Sequence, residues 1–274
     1  MLVFHSHCQL GNQMFIYACA HSLAKKRNES YCLSELTALE YFNLSIGDYK
    51  WNRLKYLFFK FKNKFKKFQF LHYQDIRKDY AQLMLEDRVK DSWYYGYFQG
   101  EKYFYNNQLE VKSRFEIKDE FKLDFERLRE KVCGNANYTI IHIRLNDYKT
   151  FGPAYLNGPD LTLPFSYYHE LLKIVVKTGE KVIFLSDSIA EVKKEFSYVE
   201  NAYFSDNNVI NDLQFIMNAN KAILSCSTFS WWGAWLNRNE NLKVYVPKHF
   251  LGFKVQKEYP INILPEGWIK VEVK

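Results

Sequence analysis

Short apolar runs alternate with segments of helical periodicity through the second half of the chain. Strands are predicted at 138–144, 181–186, 199–204, 221–226 and 242–246, and helices at 165–177, 189–197, 209–219 and 229–237. Strands that alternate with helices are typical of right-handed crossovers within one parallel sheet. The pattern therefore predicts an α/β unit with a parallel sheet in the C-terminal half.

The first half of the chain has a less regular pattern. The predicted elements are a strand at Met1–Phe4, a helix at Gln13–Lys26 with Asn12 as its N-cap, and a helix at 121–132. The region 41–112 is aromatic and basic without a strand rhythm. The sequence GNAN at 134–137 indicates a break, so we expect one domain over 1–136 and a second over 137–274.

Three of the predicted strands end in polar side chains. These are His142, Arg144 and Asp147 at the end of the first strand and just beyond it, Ser186 and Asp187 at the end of the second, and Ser225, Ser227, Thr228 and Ser230 at the end of the fourth. Burying such groups without partners costs several kcal/mol, about 2–7 for a neutral polar group. Because the carboxyl ends of parallel strands meet at one edge, where open α/β folds bind their ligands, we expect one shared site.

This edge has the chemistry of a phosphate site. The segment 227–230 stands where a strand meets a helix, and a helix N-terminus offers unpaired N–H groups with about half a positive charge. Arg144 supplies a guanidinium fork, and Asp187 supplies a carboxylate for a ribose hydroxyl or a base N–H. The set predicts a pocket for a nucleoside diphosphate. Structural roles stay open as alternatives: an N-cap for Ser227 or Thr228, a turn residue for Asp187, and an ion pair for Arg144.

The composition favours a folded protein with an anionic partner. A hydrophobic content of 47% excludes a disordered chain, and the net charge of +7 favours a nucleotide, a nucleic acid or a lipid headgroup. Five cysteines without a CxxC pair argue against a disulfide framework and a zinc site. With no apparent signal peptide and no apolar run near the ~20 residues that span a bilayer, a cytoplasmic location is expected.

Several motifs of nucleotide-binding proteins and hydrolases are absent from the sequence. It contains no Walker sequence, no GxGxxG, no D-x-D, no HExxH and no GxSxG. We therefore expect the diphosphate to be bound by protein groups alone, with no metal and no cofactor.

Four segments of the chain are similar to one enzyme family. They are LGNQMFIYACA at 10–20, HIRLNDY at 142–148, FLSDS at 184–188 and STFSWWGAWLN at 227–237. On these segments the chain resembles glycosyltransferase family 11, the bacterial α-1,2-fucosyltransferases. The resemblance spans nearly the whole chain, and the first and last segments are its most specific parts.

The resemblance implies two facing Rossmann-like domains of the GT-B type. GDP-fucose would be the donor substrate, bound mainly by 137–274, while 1–136 would lie on the acceptor side. Arg144 would hold the diphosphate and Asp187 would recognise guanine or ribose. The donor-binding residues implied are Asn12, Gln13, His142, Arg144, Asp187, Ser227, Thr228, Phe229 and Ser230.

The resemblance also implies an inverting reaction, in which L-fucose passes from GDP-β-L-fucose to the 2-hydroxyl of a terminal galactoside. The catalytic residues would be Arg144, which stabilises the departing diphosphate, Asp147, the nearest candidate for a general base, and His142. The acceptor would be a galactose-containing oligosaccharide or a lipid-linked glycan. Its candidate contacts are His5, His7 and Trp232, although Trp231, Trp232 and Trp235 are expected mainly in the core.

Two departures from the family pattern leave other functions open. The family usually has HxRRGDY, whereas Leu145 and Asn146 stand at the second arginine and the glycine, which removes one possible phosphate charge. The segment 5–9 replaces the usual glycines before LGNQ. A transferase of another nucleotide sugar is one alternative, and a non-catalytic protein that binds anionic polymers is another. The polar strand ends speak against the polymer, so nucleic acid is not expected as a partner.

The stretch KWNRLKYLFFKFKNKFKK at 50–67 has eight Lys or Arg and no acidic residue. On a helix, an apolar stripe is predicted from Leu54, Phe58, Phe61, Phe65 and Phe68. Basic amphipathic helices bind anionic membranes. The first domain is therefore expected to carry a basic aromatic insert at 50–70, which either contacts the inner face of a membrane or packs within the protein with solvated lysines.

Overall fold

The computed structural model of the chain describes residues 1–36, 39–44, 46–86 and 89–274. The chain divides into two compact units. Unit 1 comprises Met1–Lys118 and Pro260–Pro265, and unit 2 comprises Asp119–Tyr259 and Glu266–Lys274. Each unit has α/β structure built on its own parallel sheet.

Unit 1 has a four-stranded parallel sheet in its described part. Its elements are β1 (Leu2–Phe4), α1 (Leu10–Arg27), β2 (Tyr31–Leu33), α2 (Ile46–Phe65), β3 (Gln69–Tyr73), α3 (Ala81–Glu86), β4 (Ser92–Gly96) and α4 (Gln108–Arg114). The strand order is β2-β1-β4-β3. Strands β2, β3 and β4 were not predicted, because β2 has only three residues and the outer strand β3 is largely exposed.

Helix α1 begins earlier than predicted. Its first residue is Leu10 and its N-cap is Gln9, so the prediction of Asn12 as N-cap is wrong. The turn that leads from β1 into α1 is fixed by the Gln13 side chain, whose Nε2 donates to the Cys8 carbonyl over 2.9 Å. The helix is buried along most of its length, as expected of one that is apolar on nearly all sides.

Unit 2 has a six-stranded parallel sheet with the order β10-β9-β8-β5-β6-β7 in its described part. Its elements are α5 (Asp119–Cys133), β5 (Tyr138–Ile143), α6 (Phe165–Val175), β6 (Lys181–Ser186), α7 (Ile189–Glu195), β7 (Ala202–Phe204), α8 (Val209–Met217), β8 (Lys221–Ile223), α9 (Thr228–Leu236), β9 (Lys243–Pro247) and β10 (Ile269–Val271). The prediction of a parallel sheet in the C-terminal half is confirmed. Strand β10 was not predicted.

Helix α5 belongs to unit 2. The Phe125 and Phe215 rings lie 4.9 Å apart in an edge-on contact between α5 and α8. The Gln214 side-chain amide also donates to the Phe121 carbonyl over 3.1 Å. The division between the units therefore falls before α5, at 118/119, whereas the sequence pattern placed it at 136/137.

The tryptophans of α9 form part of the core of unit 2. Trp231 and Trp232 are fully buried and Trp235 is 7% exposed. Their rings contact one another at centroid distances of 5.1–5.9 Å. The prediction that they lie in the core is confirmed. Among the helices in the described ranges, none combines the length and the hydropathy that a membrane span requires.

Candidate functional site

The register of three strands determines which residues share the carboxyl edge of the unit 2 sheet. Strand β5 pairs with β6 on one side, with Ile143 opposite Ser186, and with β8 on the other, with Ile141 opposite Ile223. The segments that follow β5, β6 and β8 therefore leave the sheet at the same edge. The structure thus brings together the three polar strand ends that the sequence singled out.

His142 and Ser225 join two of these strand ends. The His142 Nδ1 lies 2.8 Å from the Ser225 Oγ, and the Ser225 N–H donates to the His142 carbonyl over 3.1 Å. Burial, with a smaller contribution from the Arg144 charge, lowers the pKa of His142 to about 3. The imidazole is therefore neutral at physiological pH.

Arg144 lies between two carboxylates. Its Nε and Nη2 donate to the two oxygens of Asp147 over 2.8 and 2.9 Å, in a bidentate arrangement. The Nε also lies 3.2 Å from the Asp187 Oδ2. The Asp147 side chain is 52% exposed, whereas those of Arg144 and Asp187 are 17% exposed. Of the two anionic partners, Asp147 is the one that solvent or a ligand reaches more easily.

The loop after β5 is pinned to the end of β6. Asp187 Oδ1 accepts the Leu145 N–H over 2.9 Å, and the Asn146 side-chain amide donates to the Asp187 carbonyl. The Leu145 side chain is only 3% exposed. The residue that replaces the second family arginine therefore packs in the interior, and Asn146 supplies a loop contact.

The N-terminus of α9 lies beside this loop. The N-cap residue Ser227 makes no side-chain capping hydrogen bond. The Ser230 hydroxyl donates instead to the Ser227 carbonyl over 3.2 Å. The Tyr148 hydroxyl donates to the Cys226 carbonyl over 2.6 Å, which ties the loop after β5 to the segment that enters α9. The Phe229 ring lies 5.8 Å from the His142 ring.

Asp212, near the start of α8, was not predicted as a site residue. Its carboxylate accepts the hydroxyl of Ser205, which directly follows β7 at the same sheet edge. Burial raises the pKa of Asp212 to about 6, although hydrogen bonds from Ser205 and Asn207 oppose that rise. A half-buried carboxyl group with a displaced pKa at the carboxyl edge of a parallel sheet is a candidate functional residue. No sequence motif marks it.

In unit 1, Asn12 and Gln13 lie in the first turn of α1. Asn12 Oδ1 accepts from the Gln99 side-chain amide over 2.7 Å, while Gln13 is buried against the Cys8 carbonyl. Gln99 follows β4, so this pair lies at the carboxyl edge of the unit 1 sheet. The donor roles expected of Asn12 and Gln13 stay predictions.

His5 and His7 follow β1 at the same edge of unit 1. Their ring centroids lie 5.0 and 4.9 Å from that of Tyr95. The His72 ring stacks on Tyr95 as well, at 5.5 Å, so three imidazoles surround one phenol ring. Burial lowers the pKa of His7. Tyr95 and His72 were not predicted as site residues, because the strands that carry them were not recognised.

Trp232 does not suit an acceptor contact. It is fully buried between Trp231 and Trp235, so no face of its ring is open to a sugar. Within the described residues, no group of three or more His, Cys, Asp or Glu side chains has the arrangement of a metal site.

Residues 1–270 match the family model described as "Glycosyl transferase family 11". The chain belongs to glycosyltransferase family 11. The segments that carry Arg144, Asp187 and Ser227–Ser230 therefore occur within a match that covers nearly the full sequence.

Two curated relatives of this family 11 chain are glycosyltransferases of Escherichia coli. The O-antigen biosynthesis glycosyltransferase WbnK is 31% identical over 54% of this chain and 49% of its own length, so the alignment covers about half of that protein. An alpha-1,2-colitosyltransferase is 26% identical over 96% of both chains.

Solved fucosyltransferase structures share the fold. NodZ from Bradyrhizobium aligns with a TM-score of 0.56 at 11% identity, covering 85% of this chain and 91% of NodZ. The NodZ alpha-1,6-fucosyltransferase soaked with GDP-fucose aligns with a TM-score of 0.53 at 12% identity, covering 86% and 92%. The predicted α/β fold of the GT-B type is confirmed.

Proposed function

We propose that this family 11 chain transfers L-fucose from GDP-β-L-fucose, with inversion and without a metal, to the 2-hydroxyl of a terminal galactoside. The proposal rests on one observation: Arg144 stands at the end of β5, in a loop that Tyr148 ties to the segment entering α9. It is supported by the α-1,2 specificity named for the colitosyltransferase relative and by the shared fold of a fucosyltransferase soaked with GDP-fucose.

The diphosphate is the part of the donor that this edge suits best. The guanidinium of Arg144 matches phosphate oxygens in charge and geometry. The first N–H groups of α9, from Thr228 to Ser230, have no partner within the helix and carry its positive dipole end. The Thr228 hydroxyl, which is half-buried at the helix start, adds a further donor. These groups neutralise a ligand anion without a metal ion.

The nucleoside is assigned to the adjacent end of the sheet. Neutral His142 has hydrogen-bonding capacity but no charge, which suits a ribose hydroxyl or a base edge. Asp212 lies after β7, and its carboxylate is complementary to the paired N–H donors of a guanine edge. Asp187 is engaged with the Leu145 N–H and Arg144, so its proposed role is to position the guanidinium.

In the proposed reaction, the acceptor hydroxyl oxygen forms a bond to the anomeric carbon of fucose as the bond to the β-phosphate oxygen breaks. The departing GDP keeps the electron pair, and Arg144 and the N-terminus of α9 stabilise the negative charge that develops. The hydroxyl proton passes to Asp147. Both Asp147 oxygens accept from Arg144 here, so the diphosphate must first take over the guanidinium and release the carboxylate.

The acceptor is assigned to unit 1. Half-buried rings of His5, His7 and Tyr95 form a cluster at the carboxyl edge of its sheet, and aromatic faces of this kind pack against the apolar faces of sugars. The O-antigen function named for one relative favours a surface glycan, free or lipid-linked, over a protein acceptor.

A different donor sugar is the second candidate. Leu145 and Asn146 depart from the usual family motif, and the relative that aligns over 96% of this chain is named for colitose. The nucleotide site would be unchanged, since Arg144 and α9 contact the diphosphate, and only the sugar pocket would differ.

The test is product formation from GDP-fucose and lactose in the presence of EDTA, analysed by mass spectrometry and NMR. An α-1,2-fucosylated lactose supports the proposal in linkage, stereochemistry and metal independence. A parallel reaction with GDP-colitose distinguishes the second candidate. If both donors fail with lactose and with a panel of galactoside acceptors although GDP binds, the galactoside proposal is wrong.

A further inference from the structure

Helix α2 has two apolar faces, of which only one is needed for folding. The inner face packs on the unit 1 sheet: Phe59 is 3% exposed, and its ring contacts Phe68 at 4.9 Å and Trp93 at 5.5 Å. The Asn52 side chain pairs with both the N–H and the carbonyl of Leu33 on β2. These contacts fix the rotation of the helix about its axis.

The outer face of α2 consists of six large apolar side chains, each more than half exposed. They are Trp51 (64%), Leu54 (55%), Leu57 (51%), Phe58 (57%), Phe61 (63%) and Phe65 (78%). At about 100° per residue they fall within one arc of about 120°, on the side of the helix opposite Asn52 and Phe59. Phe68, predicted on this stripe, is 6% exposed and packs inward instead.

Cations lie within this apolar arc, at Lys50, and along its side. Lys50, Arg53, Lys60, Lys64 and Lys67 are all exposed, and the stretch 50–67 contains no acidic residue. Within the part of the chain that the structure describes, Lys62 and Lys66 have a carboxylate partner, Asp91, at 3.1 and 3.3 Å, which holds the end of α2 against its unit. The other six cations of this stretch, of which Lys55 is half-buried, form no salt bridge with a described residue.

We propose that the outer face of α2 binds an anionic lipid bilayer, with the helix lying in the plane of the interface. The six apolar side chains would enter the headgroup and acyl boundary, while the bordering Lys and Arg contact lipid phosphates. A bilayer explains why exposed apolar side chains and cations occur together on this side of α2. A soluble polyanion would bind to the cations but would have no use for exposed phenylalanines. A second copy of this chain would bring two cationic faces together and repel.

The experiment measures partitioning of the full chain onto sedimented vesicles. Vesicles of phosphatidylcholine with 30% phosphatidylglycerol are compared with vesicles of pure phosphatidylcholine. Binding is expected on the anionic vesicles and should weaken with added salt. Brominated lipid in the same vesicles should quench Trp51, because this side chain lies on the inserting face.

Two pairs of variants separate the apolar from the electrostatic contribution. The apolar variant carries Phe58→Ser, Phe61→Ser and Phe65→Ser, and its control carries Leu109→Ser, Leu123→Ser and Ile174→Ser, which are 86%, 54% and 78% exposed elsewhere. The charge variant carries Lys60→Gln, Lys64→Gln and Lys67→Gln, matched by Lys173→Gln, Lys193→Gln and Lys194→Gln. All twelve positions are exposed, so the fold should tolerate each change.

The apolar variant should lose binding by about tenfold or more, because interfacial affinity follows the apolar area inserted. The charge variant should lose about 100-fold on anionic vesicles, since each surface cation contributes roughly a factor of five. Both controls should bind like the unaltered chain. This test does not depend on the proposed fucosyl transfer.

Three results would overturn the proposal. One is that the unaltered chain does not bind anionic vesicles. Another is that the apolar variant binds as well as its control, which would reduce the contact to surface charge. The third is a concentration-dependent dimer, seen by sedimentation, that Phe58→Ser, Phe61→Ser and Phe65→Ser abolish, which would make a second copy the partner.

Discussion

The imidazole of His142 and the hydroxyl of Ser225 lie 2.8 Å apart and join the ends of β5 and β8. Both residues are buried, at 5% and 2% exposure. This contact holds together the two segments from which Arg144 and α9 emerge. The position of Arg144 and α9 therefore depends on this hydrogen bond as well as on apolar packing.

Removing the hydroxyl should therefore destabilise unit 2. In Ser225→Ala the buried His142 Nδ1 loses this partner, which costs about 1–3 kcal/mol of unfolding free energy. Urea unfolding measures the change. Ser197→Ala, at an exposed serine of the same unit, should stay within about 0.5 kcal/mol of the unaltered chain. Equal stability of the two variants would show that the contact contributes nothing to the fold.

Asp212 should give the protein an unusual pH dependence of stability. Its pKa of about 6 in the folded state exceeds the ordinary 3.8. Between about pH 4 and 6 the folded state therefore binds more protons at this carboxyl group than the unfolded state does. As a result, Asp212 makes the folded state more stable as the pH falls through this range. His142 has the opposite effect: its pKa falls to about 3, so the unfolded state binds the extra proton below 6.5 and stability is lost as pH falls. The two contributions partly cancel between pH 4 and 6.

In Asp212→Asn, the pH dependence of stability that is due to His142 should no longer be offset by Asp212. The variant should gain stability over the unaltered chain at pH 7.5, because a desolvated charge is removed, and should lose most of that gain by pH 4.5. Urea midpoints at pH 4.5, 5.5 and 7.5 measure this, with the exposed Asp124→Asn as control. Parallel pH curves for Asp212→Asn and the unaltered chain would contradict the raised pKa.

Variants of Asp147 and Asp187 should distinguish a catalytic role from the positioning of Arg144. Asp147→Asn should lower kcat by about 100- to 10,000-fold, as loss of a general base does, while GDP binds as tightly or more tightly because a competing carboxylate is gone. Asp187→Asn should weaken both GDP binding and turnover, since Arg144 loses the less exposed of its two anchors. Equal losses of GDP affinity and kcat in Asp147→Asn would assign Asp147 to positioning as well.

The sequence predicted β5 and β6 to within a residue for a physical reason. Strands buried on both faces, as in a parallel sheet, appear as continuous apolar runs, and these two are buried along nearly their full length. Strand β3 has mostly exposed residues and β2 only three, so neither gives that signal. The order of elements in unit 1 therefore followed only from the structure.

The site was predictable where chemistry and strand ends coincide. Arg144, Asp187 and Ser227 directly follow apolar runs, and parallel topology brings them to one edge. Asp212 lies inside a helix, and its importance depends on a contact with Ser205, which follows β7, and no sequence motif marks that contact. The sequence likewise contains Asp147 and Asp187 but does not indicate that both carboxylates pair with Arg144.

A substitution at Gly233 tests how closely α9 packs on α8. A methyl group at this position would lie 2.7 Å from the Ile216 Cβ and Cγ2, too close for van der Waals contact. Gly233→Ala should destabilise the chain by about 1–3 kcal/mol, despite alanine's helix preference of about 1 kcal/mol. Combining it with Ile216→Ala should cost less than the sum of the two single changes. Additive costs in urea unfolding would show that α8 and α9 do not pack this closely.

The most direct test of the central claim is calorimetric titration of GDP into the unaltered chain, Arg144→Ala and Arg127→Ala. Arg127 is the control because it is an exposed arginine of α5 in the same unit, with a side chain 80% exposed. We predict binding to the unaltered chain and to Arg127→Ala, and a loss of about 100-fold or more in Arg144→Ala, since a lost charge contact to a buried anion costs roughly 3 kcal/mol. GDP binding by Arg144→Ala at the unaltered affinity would contradict the account.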